Sequence, residues 1–506
     1  MRSKKAMFNT VSALSYEVVA VICGLILPRL ILSSFGSSYN GITSSITQFL
    51  TCVVLLRAGV GGVTRAALYK PLADKDNREI SAIIRATEIF MRRVAIIFIF
   101  ALFVFAAVYP LLVKDEFEWL FSFTLVLILG ISTFVQYYFG ITYQMLLQAD
   151  QCNYVISTIQ ICTTILNTAI AAILIKSGCS IHIVKLGSAV VFSLNPIVTN
   201  IYCRKKYKID RTVKPNQNAI KQRWDAFSQT VAFFVHNNTD VMVLTCFAST
   251  KEVSVYTVYN YVIANLQNII STFVSGFGAA FGNMFAKNEK ELIHKNLRIY
   301  ELIVFGSTSV IYSVAGVMIV PFALVYTSGI NDVNYSRPLF AMLVTIAGSF
   351  ACFRLPYQTI VEAVGHFKQT KNGAIFEAGL NIVLSIILVI KFGMVGVAVG
   401  TLVATVFRSF QYAFYLSKKI VSRSIFIFIG HIVVNAVVAV ITYLSSRFLF
   451  DSNVENWWQW IVLAVEVTLV SIASSGILHF VFYHNDVKNL LEKLKGMLKR
   501  RGDKNA

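Results

Sequence analysis

Charged residues are scarce in this chain: of its 506 residues, only 14% are Asp, Glu, Lys or Arg. A soluble globular protein carries about 25% charged residues, whereas 56% of this chain is hydrophobic. Proline is also rare, with 8 residues, and no charged or proline-rich segment is long enough for a separate soluble domain. The composition therefore excludes an ordinary soluble protein and is typical of an integral membrane protein.

Motifs for catalysis and metal binding are also missing. The 8 cysteines form no CxxC pair and lie mostly within apolar runs, which indicates packing residues rather than disulfides or metal ligands. The sequence has no phosphate-binding Walker loop, zinc-ligand spacing or nucleophile elbow. The predicted outer loops are too short to form the aqueous domain that a glycosyltransferase or ligase needs. We therefore predict that the chain is not an enzyme and carries no cofactor.

Apolar runs recur along the whole chain, and a helix of about 20 apolar residues crosses the hydrocarbon core of a membrane. The first run follows Met1–Lys5, and it is too long for a signal peptide and lacks a small-x-small cleavage site. The pattern predicts an all-α, polytopic membrane protein with about 14 transmembrane helices. The predicted spans are 9–32, 40–64, 93–113, 119–146, 154–175, 181–202, 226–248, 253–281, 299–325, 338–361, 373–391, 394–416, 425–447 and 457–482.

Lys and Arg are distributed unevenly between the two sides that these spans define. When basic residues within about five positions of a span end, other than Arg29, are counted with the adjacent loop, 34 of the 45 fall on the side of the N-terminus and 7 on the opposite side. The positive-inside rule places the basic side in the cytoplasm, and an even number of spans places both termini there. The net charge of +20 therefore reflects membrane topology, and we expect no nucleic-acid partner.

The two halves of the chain share polar residues at a spacing of 214 positions. Gln148 and Asn167 recur as Glu362 and Asn381, which indicates two six-helix repeats that start in the same orientation. The predicted segments are an N-terminal lobe (1–203), a basic cytoplasmic connector (204–224), a C-terminal lobe (225–420), two appended helices (421–483) and a basic amphipathic cytoplasmic tail (484–506).

Three segments combine glycine, polar and aromatic residues in a distinctive way. They are Gly59–Asp74, Asn238–Asp240 with the tyrosines that follow at Tyr256 and Tyr259, and Glu362–Thr401. Together they resemble bacterial polysaccharide-biosynthesis flippases. These are the Wzx-like transporters of O-antigen, capsule or teichuronic type, within the multidrug/oligosaccharidyl-lipid/polysaccharide (MOP) exporter superfamily. The resemblance covers the first twelve spans.

This resemblance implies a MATE/MOP-like fold, with two six-helix lobes around a central cavity and two appended helices. It implies a flippase that moves undecaprenyl-diphosphate-linked oligosaccharide from the cytoplasmic to the outer leaflet of the bacterial plasma membrane. The implied mechanism is alternating access coupled to a gradient of Na⁺ or H⁺. The implied partners are the lipid-linked oligosaccharide, membrane lipids, a polysaccharide polymerase and glycosyltransferases.

Two other functions agree with the sequence. One is a cation-coupled multidrug exporter of the same superfamily, which we expect to have an acid-rich cavity. The other is a non-transporting membrane scaffold of a polysaccharide-assembly complex, in which apolar residues could replace the buried polar ones without loss of function.

Four arginines lie inside predicted spans: Arg29, Arg57, Arg354 and Arg408. Guanidinium groups that face a cavity could hold the lipid diphosphate, because their forked donors match phosphate oxygens. Snorkelling toward the membrane surface is the alternative for Arg29 and Arg408, and a glycine-lined packing seam is the alternative for Arg57. Arg354 precedes Pro356, which should break the span there.

The stretch His236–Asp240 is polar, although it lies in an apolar run, where a carboxylate is costly. Asp240 and His236 lie one helical turn apart on the same face. We predict that Asp240, His236, Asn237 and Glu17 bind the coupling ion or proton. A buried pair that only fastens helices together is the alternative for Asp240.

Overall fold

The computed structural model of the chain describes residues 2–51, 60–217, 238–274, 277–287, 289–449 and 454–492. Within those ranges every regular element is a helix, and no strand occurs. The predicted all-α fold class is therefore confirmed.

The helices that we label follow the chain in order. They are α1 (Arg2–Phe35), α2 (Ser37–Thr51), α3 (Val60–Asp74), α4 (Asn77–Leu112), α5 (Trp119–Val135), α6 (Ile141–Ala149), α7 (Asn153–Lys176), α8 (Ile181–Tyr207), α9 (238–247), α10 (Thr250–Val274), α11 (Phe277–Ala286), α12 (Lys290–Tyr326), α13 (Pro338–Phe353), α14 (Leu355–Ala363), α15 (Phe367–Phe392), α16 (Met394–Lys419), α17 (Phe426–Leu449), α18 (Trp457–Phe482) and α19 (484–492).

Eleven helical stretches in the described ranges are long and apolar enough to cross a membrane. Each coincides with one of the predicted spans, so the chain is a multi-pass membrane protein. The other three predicted spans, 40–64, 226–248 and 253–281, each include residues outside the described part. The total of fourteen therefore stays a prediction.

The chain forms two compact units. Unit 1 comprises Met1–Val255 and Gly329–Val333, and unit 2 comprises Tyr256–Ser328 and Asn334–Ala506. In unit 1, α4 packs against α3 and α5, and α7 packs against α1 and α8. In unit 2, α12 packs against α13, α17 and α18, and α15 packs against α16. The division into two six-helix lobes, a connector and a tail stays a prediction.

Several local features of the structure recur at the spacing of 214 residues. Gln151 and Gly365 both have a positive φ, of 56° and 78°, directly before α7 and α15. Lys208 and Ser422 repeat this feature after α8 and α16, with φ of 47° and 52°. Because positive φ is uncommon outside glycine, its repetition at matched positions supports the predicted repeat.

The predicted spans 119–146 and 338–361 are each interrupted, at places about 214 residues apart. In unit 1 a π-helical turn, Gln136–Gly140, separates α5 from α6. The amide of Asn200 donates a hydrogen bond to the carbonyl of Phe139 in this turn, at 3.1 Å. In unit 2 the single residue Arg354 separates α13 from α14. Breaks of this kind expose backbone groups that neighbouring side chains must satisfy.

Candidate functional site

Arg354 lies between α13 and α14 in unit 2. The helix α13 ends at Phe353, and α14 begins at Leu355 with Pro356 in its first turn. Proline favours the first turn of a helix because its missing N–H has no partner there in any case. The predicted interruption at Arg354 is therefore confirmed as a local one, because Arg354 keeps a helical φ and ψ and its N–H still donates to the carbonyl of Phe350.

Glu377 on α15 lies between two arginines. Its Oε1 accepts a hydrogen bond from Arg354 Nη1 at 2.8 Å, and its Oε2 lies 3.3 Å from Arg408 Nε on α16. The side chains of Arg354, Glu377 and Arg408 are only 12%, 6% and 6% exposed. The structure thus brings two of the four predicted binding arginines together on one carboxylate.

Arg408 has additional partners that fix its orientation. It donates hydrogen bonds to the carbonyl of Thr370 at 3.0 Å and to the hydroxyl of Tyr412 at 2.9 Å. It also donates to Gln411, and its guanidinium carbon lies 4.2 Å from the centre of the Tyr412 ring. Arg408 is therefore buried and bonded, and it does not snorkel.

Counted by themselves, Arg354, Glu377 and Arg408 carry one net positive charge, because two guanidinium groups share one carboxylate. Glu362, two turns further along α14, is exposed and accepts a hydrogen bond from Gln358 at 2.7 Å. The Nε of Arg354 is buried and has no hydrogen-bond partner among the described residues. Since an uncompensated charge in an apolar environment is costly, this cluster can attract an anion.

A second carboxylate, Glu301 on α12, is fully buried in unit 2. It accepts a hydrogen bond from the hydroxyl of Tyr357 at 2.5 Å and one from Arg423 Nη1 at 2.7 Å. Arg423 also pairs with it through Nη2. This group joins α12 to α14 and to the segment that follows α16.

Unit 1 contains a matching group around Glu88 on α4. The hydroxyl of Tyr143 on α6 donates to Glu88 at 2.6 Å, and Arg211, in the segment after α8, lies 3.8 Å from it. Glutamate, tyrosine and arginine thus come from corresponding elements of the two units: α4 and α12, α6 and α14, and the segments after α8 and α16. The unit 1 group is looser, because the side chain of Arg211 is 50% exposed and that of Arg423 is 9% exposed.

Two carboxylates in unit 1 cap helix N-termini that are distant in sequence. Asp332 accepts hydrogen bonds from the backbone N–H of Ser37 at 2.7 Å and from its hydroxyl at 2.6 Å, at the start of α2. Glu116 accepts from the backbone N–H of Thr250 at 2.9 Å and also from its hydroxyl, at the start of α10. Each carboxylate satisfies backbone donors that a helix leaves unpaired in its first turn.

Asp150, in the turn between α6 and α7, is an ion-pair centre outside the spans. It pairs with Lys5 at 3.2 Å and with Lys206 at 3.3 Å, and it accepts a hydrogen bond from Tyr207 at 2.6 Å. Burial alone would raise the pKa of Asp150, but the hydrogen bonds and cations around it hold that pKa below the usual value. This ionised carboxylate fastens the start of α1 to the end of α8.

The other predicted site residues lie in unit 1 or outside the described residues. Arg29 is half-buried and Glu17 is exposed, both on α1, and Asp240 is half-buried on α9. Asn238, beside Asp240, accepts a hydrogen bond from Gln48 on α2. Arg57, His236 and Asn237 lie outside the described residues.

Sequence reasoning missed Glu377 and Glu301. Both lie in predicted spans, 373–391 and 299–325, where a carboxylate needs a partner for the same reason as Asp240 does. A search of every predicted span for single acids would have found them. Their arginine partners lie on other helices, and the sequence pattern does not show such pairings.

No protein-family model and no curated protein matches this chain. Solved structures do match it. The lipid II flippase MurJ in its inward closed conformation superposes with a TM-score of 0.73 at 15% identity, over 95% of this chain and 100% of that one. An inward-facing multidrug resistance MATE family transporter of the MOP superfamily superposes with a TM-score of 0.63 at 14% identity, over 81% and 98%.

A MOP superfamily transporter from Pyrococcus furiosus, described by the reverse polarity of its binding pocket, also matches. Its TM-score is 0.54 at 12% identity, over 83% of this chain and 94% of that one. These neighbours are a flippase and transporters, in agreement with the prediction that this chain is not an enzyme. At such low identities the likeness establishes the fold alone: the chain has the fold shared by MurJ and MATE transporters.

Proposed function

We propose that this protein is a flippase that moves undecaprenyl-diphosphate-linked oligosaccharide from the cytoplasmic to the outer leaflet of the bacterial plasma membrane. The observation that carries the proposal is the cluster of Arg354, Glu377 and Arg408 inside membrane-spanning helices of unit 2. Its excess positive charge favours an anionic headgroup. The planar guanidinium fork also matches the paired oxygens of phosphate groups.

The fold and the sequence resemblance support the two parts of this proposal separately. A structural neighbour named as a lipid II flippase supports a lipid-linked substrate. The resemblance of Glu362–Thr401 to polysaccharide flippases supports an oligosaccharide on that lipid. In this role the protein would receive its substrate from glycosyltransferases and deliver it to a polysaccharide polymerase.

In the proposed mechanism, Arg408 and Arg354 bind the diphosphate, and Arg29 and Arg57 are further candidate contacts. Arg408 is held in place by Thr370 and Tyr412, so its binding geometry is fixed in advance, which reduces the ordering cost of binding. We propose that the ion gradient acts on Asp240 with His236, Asn237 and Glu17, through H⁺ or Na⁺.

A multidrug exporter is the second candidate, since a MATE family transporter shares the fold. A cationic drug would meet the positive cluster of Arg354, Glu377 and Arg408, which repels it. Resistance profiling of cells that express the chain separates the two functions. A raised tolerance to several cationic drugs, with no effect on surface polysaccharide, would favour the exporter.

Polysaccharide export in cells tests the flippase proposal. In a strain that depends on this chain for surface polysaccharide, the double variant Arg354→Gln with Arg408→Gln should lower export by at least about tenfold, because each lost charge-assisted hydrogen bond is worth about 1.5–3 kcal/mol. The matched control is Arg447→Gln, an exposed arginine at the end of α17, which should export normally. Normal export by the double variant, at equal protein levels in the membrane, contradicts the proposal.

A further inference from the structure

Glu377 occupies the place that an anionic ligand of Arg354 and Arg408 would take. We infer that Glu377 is an internal counter-anion that the substrate's diphosphate displaces, so that this carboxylate sets the preference of the site for a dianionic headgroup. The inference rests on the proposed function and concerns how the same site selects its anion.

The two arginines are held in different ways, which shows how the exchange would proceed. Arg408 keeps hydrogen bonds to Thr370 and Tyr412 when Glu377 leaves. Arg354 has Glu377 as its one side-chain partner within the described ranges, and its buried Nε has none. Arg408 is therefore the fixed cation, and Arg354 is the cation that can transfer from Glu377 to a ligand.

Charge balance explains why a diphosphate would displace this carboxylate. With Glu377 in place, the two guanidinium groups and the carboxylate together carry one net positive charge. With Glu377 displaced, the guanidinium groups carry two, which matches the two negative charges of a diphosphate diester. A monoanion that replaces Glu377 gains no Coulomb energy, because it exchanges one negative charge for another. A dianion gains energy, because it interacts with both cations at short range. The internal carboxylate thus disfavours monoanionic lipids.

A purely structural ion pair makes a different prediction. Two arginines around one buried glutamate can fasten helices together, and loss of the glutamate then leaves uncompensated charge and lowers stability. In that case removal of Glu377 destabilises the protein without improving its affinity for anions. Under the displacement model the same change exposes both guanidinium groups, so the affinity for anions rises.

Calorimetric titration of the purified full-length chain with inorganic pyrophosphate, at low ionic strength in detergent, distinguishes these models. Glu377→Gln should bind pyrophosphate about tenfold more tightly than the unmodified chain, since it removes the competing anion. The double variant Glu377→Gln with Arg354→Gln should lose that gain. The matched control is Glu455→Gln, an exposed glutamate before α18, which should leave the affinity unchanged.

Glu377→Asp provides a second test if Glu377→Gln does not fold. It keeps the negative charge, but its shorter side chain cannot bridge Arg354 and Arg408, so its affinity should also rise, to a smaller extent. An affinity equal to or below that of the unmodified chain in every variant of Glu377 that folds overturns the inference. Tighter pyrophosphate binding by a chain that moves no lipid diphosphate between leaflets would support the inference and refute the proposed function.

Discussion

Tyr357 donates its phenolic hydrogen to the buried carboxylate of Glu301 at 2.5 Å. The same relationship recurs in the first repeat, where Tyr143 donates to Glu88 at 2.6 Å. Tyr143 and Tyr357 lie 214 positions apart, and each donates to a glutamate on the long helix, α4 or α12, that packs beside it. The contact connects α4 to α6 in unit 1 and α12 to α14 in unit 2.

The two tyrosines should differ in their contribution to stability. Tyr357→Phe should lower stability by about 1–3 kcal/mol, because it removes a donor from a fully buried carboxylate. Tyr143→Phe should cost less, because the side chain of Glu88 is 14% exposed and can bind water. Thermal unfolding of both variants in detergent measures the difference. Equal shifts of the unfolding midpoint, or a larger shift for Tyr143→Phe, would contradict this account.

The caps at the starts of α2 and α10 should act independently of each other. Asp332→Ala should weaken the first turn of α2 by about 1 kcal/mol, and Glu116→Ala should do the same for α10. Hydrogen–deuterium exchange at the backbone N–H of Ser37 and of Thr250 measures how often each of the two first turns opens. Each variant is the control of the other, and faster exchange in both turns from either single variant would refute the assignment.

Gly41 should tolerate no side chain. A Cβ at this position would lie 1.7 Å from the carbonyl oxygen of Thr250, whereas a Cβ at Gly62 would meet nothing within 4 Å. Gly41→Ala should therefore lower stability by about 1–3 kcal/mol through overpacking. The matched control, Gly62→Ala on the helix α3, should be neutral or slightly stabilising, since alanine favours helices. Equal thermal stability of the two variants would show that the approach of α2 to Thr250 is misassigned.

Asp486 should lower the stability of the protein as the pH rises, whereas most carboxylates in folded proteins do the opposite. It lies in α19, beyond the last span, where burial raises the pKa of its carboxyl above the usual 3.8, against the opposing effect of Arg298. The folded chain then favours the protonated form, so the ionised carboxylate lowers stability as the pH rises above the unfolded pKa. Asp486→Asn should raise the unfolding midpoint at pH 7, and the gain should shrink toward pH 4.

The exposed residue Asp210 provides a control of opposite sign. Hydrogen bonds from Thr212 lower the pKa of Asp210, so its ionised form favours the folded state, and Asp210→Asn should not stabilise the protein at pH 7. A stabilising effect of Asp210→Asn, or a gain for Asp486→Asn that is the same at pH 4 and pH 7, would contradict the assignment.

Hydrophobic periodicity predicted the membrane helices well, because apolar length alone decides which segments can cross a bilayer. It missed the true starts of α4 and α12, at Asn77 and Lys290, where the predicted spans begin at 93 and 299. The first turns of these helices carry charged residues, which hydropathy assigns to loops. Helix formation depends on backbone hydrogen bonds and local propensity, so it continues past the apolar limit.

The site could be predicted only in part. Single arginines in apolar runs are visible in the sequence, and so is the helix break that Pro356 imposes at Arg354. The partner of Arg354 is not visible, because Glu377 and Arg408 meet it through packing of α15 and α16. For the same reason the cap of Ser37 by Asp332, 295 positions later, could not be inferred. Such pairings depend on how helices pack, and spacing along the chain does not determine them.

Transfer of a lipid diphosphate between leaflets is the activity that defines a flippase, and it can be measured in liposomes. The purified chain would be reconstituted into liposomes that contain a fluorescent undecaprenyl-diphosphate oligosaccharide, and a membrane-impermeant quencher would report its exposure in the outer leaflet. We predict exchange between leaflets well above that of protein-free liposomes, strongly reduced by Arg354→Gln with Arg408→Gln and unchanged by Arg447→Gln. The flippase proposal would be contradicted if the reconstituted chain transported a cationic drug but exchanged the lipid no faster than protein-free liposomes do.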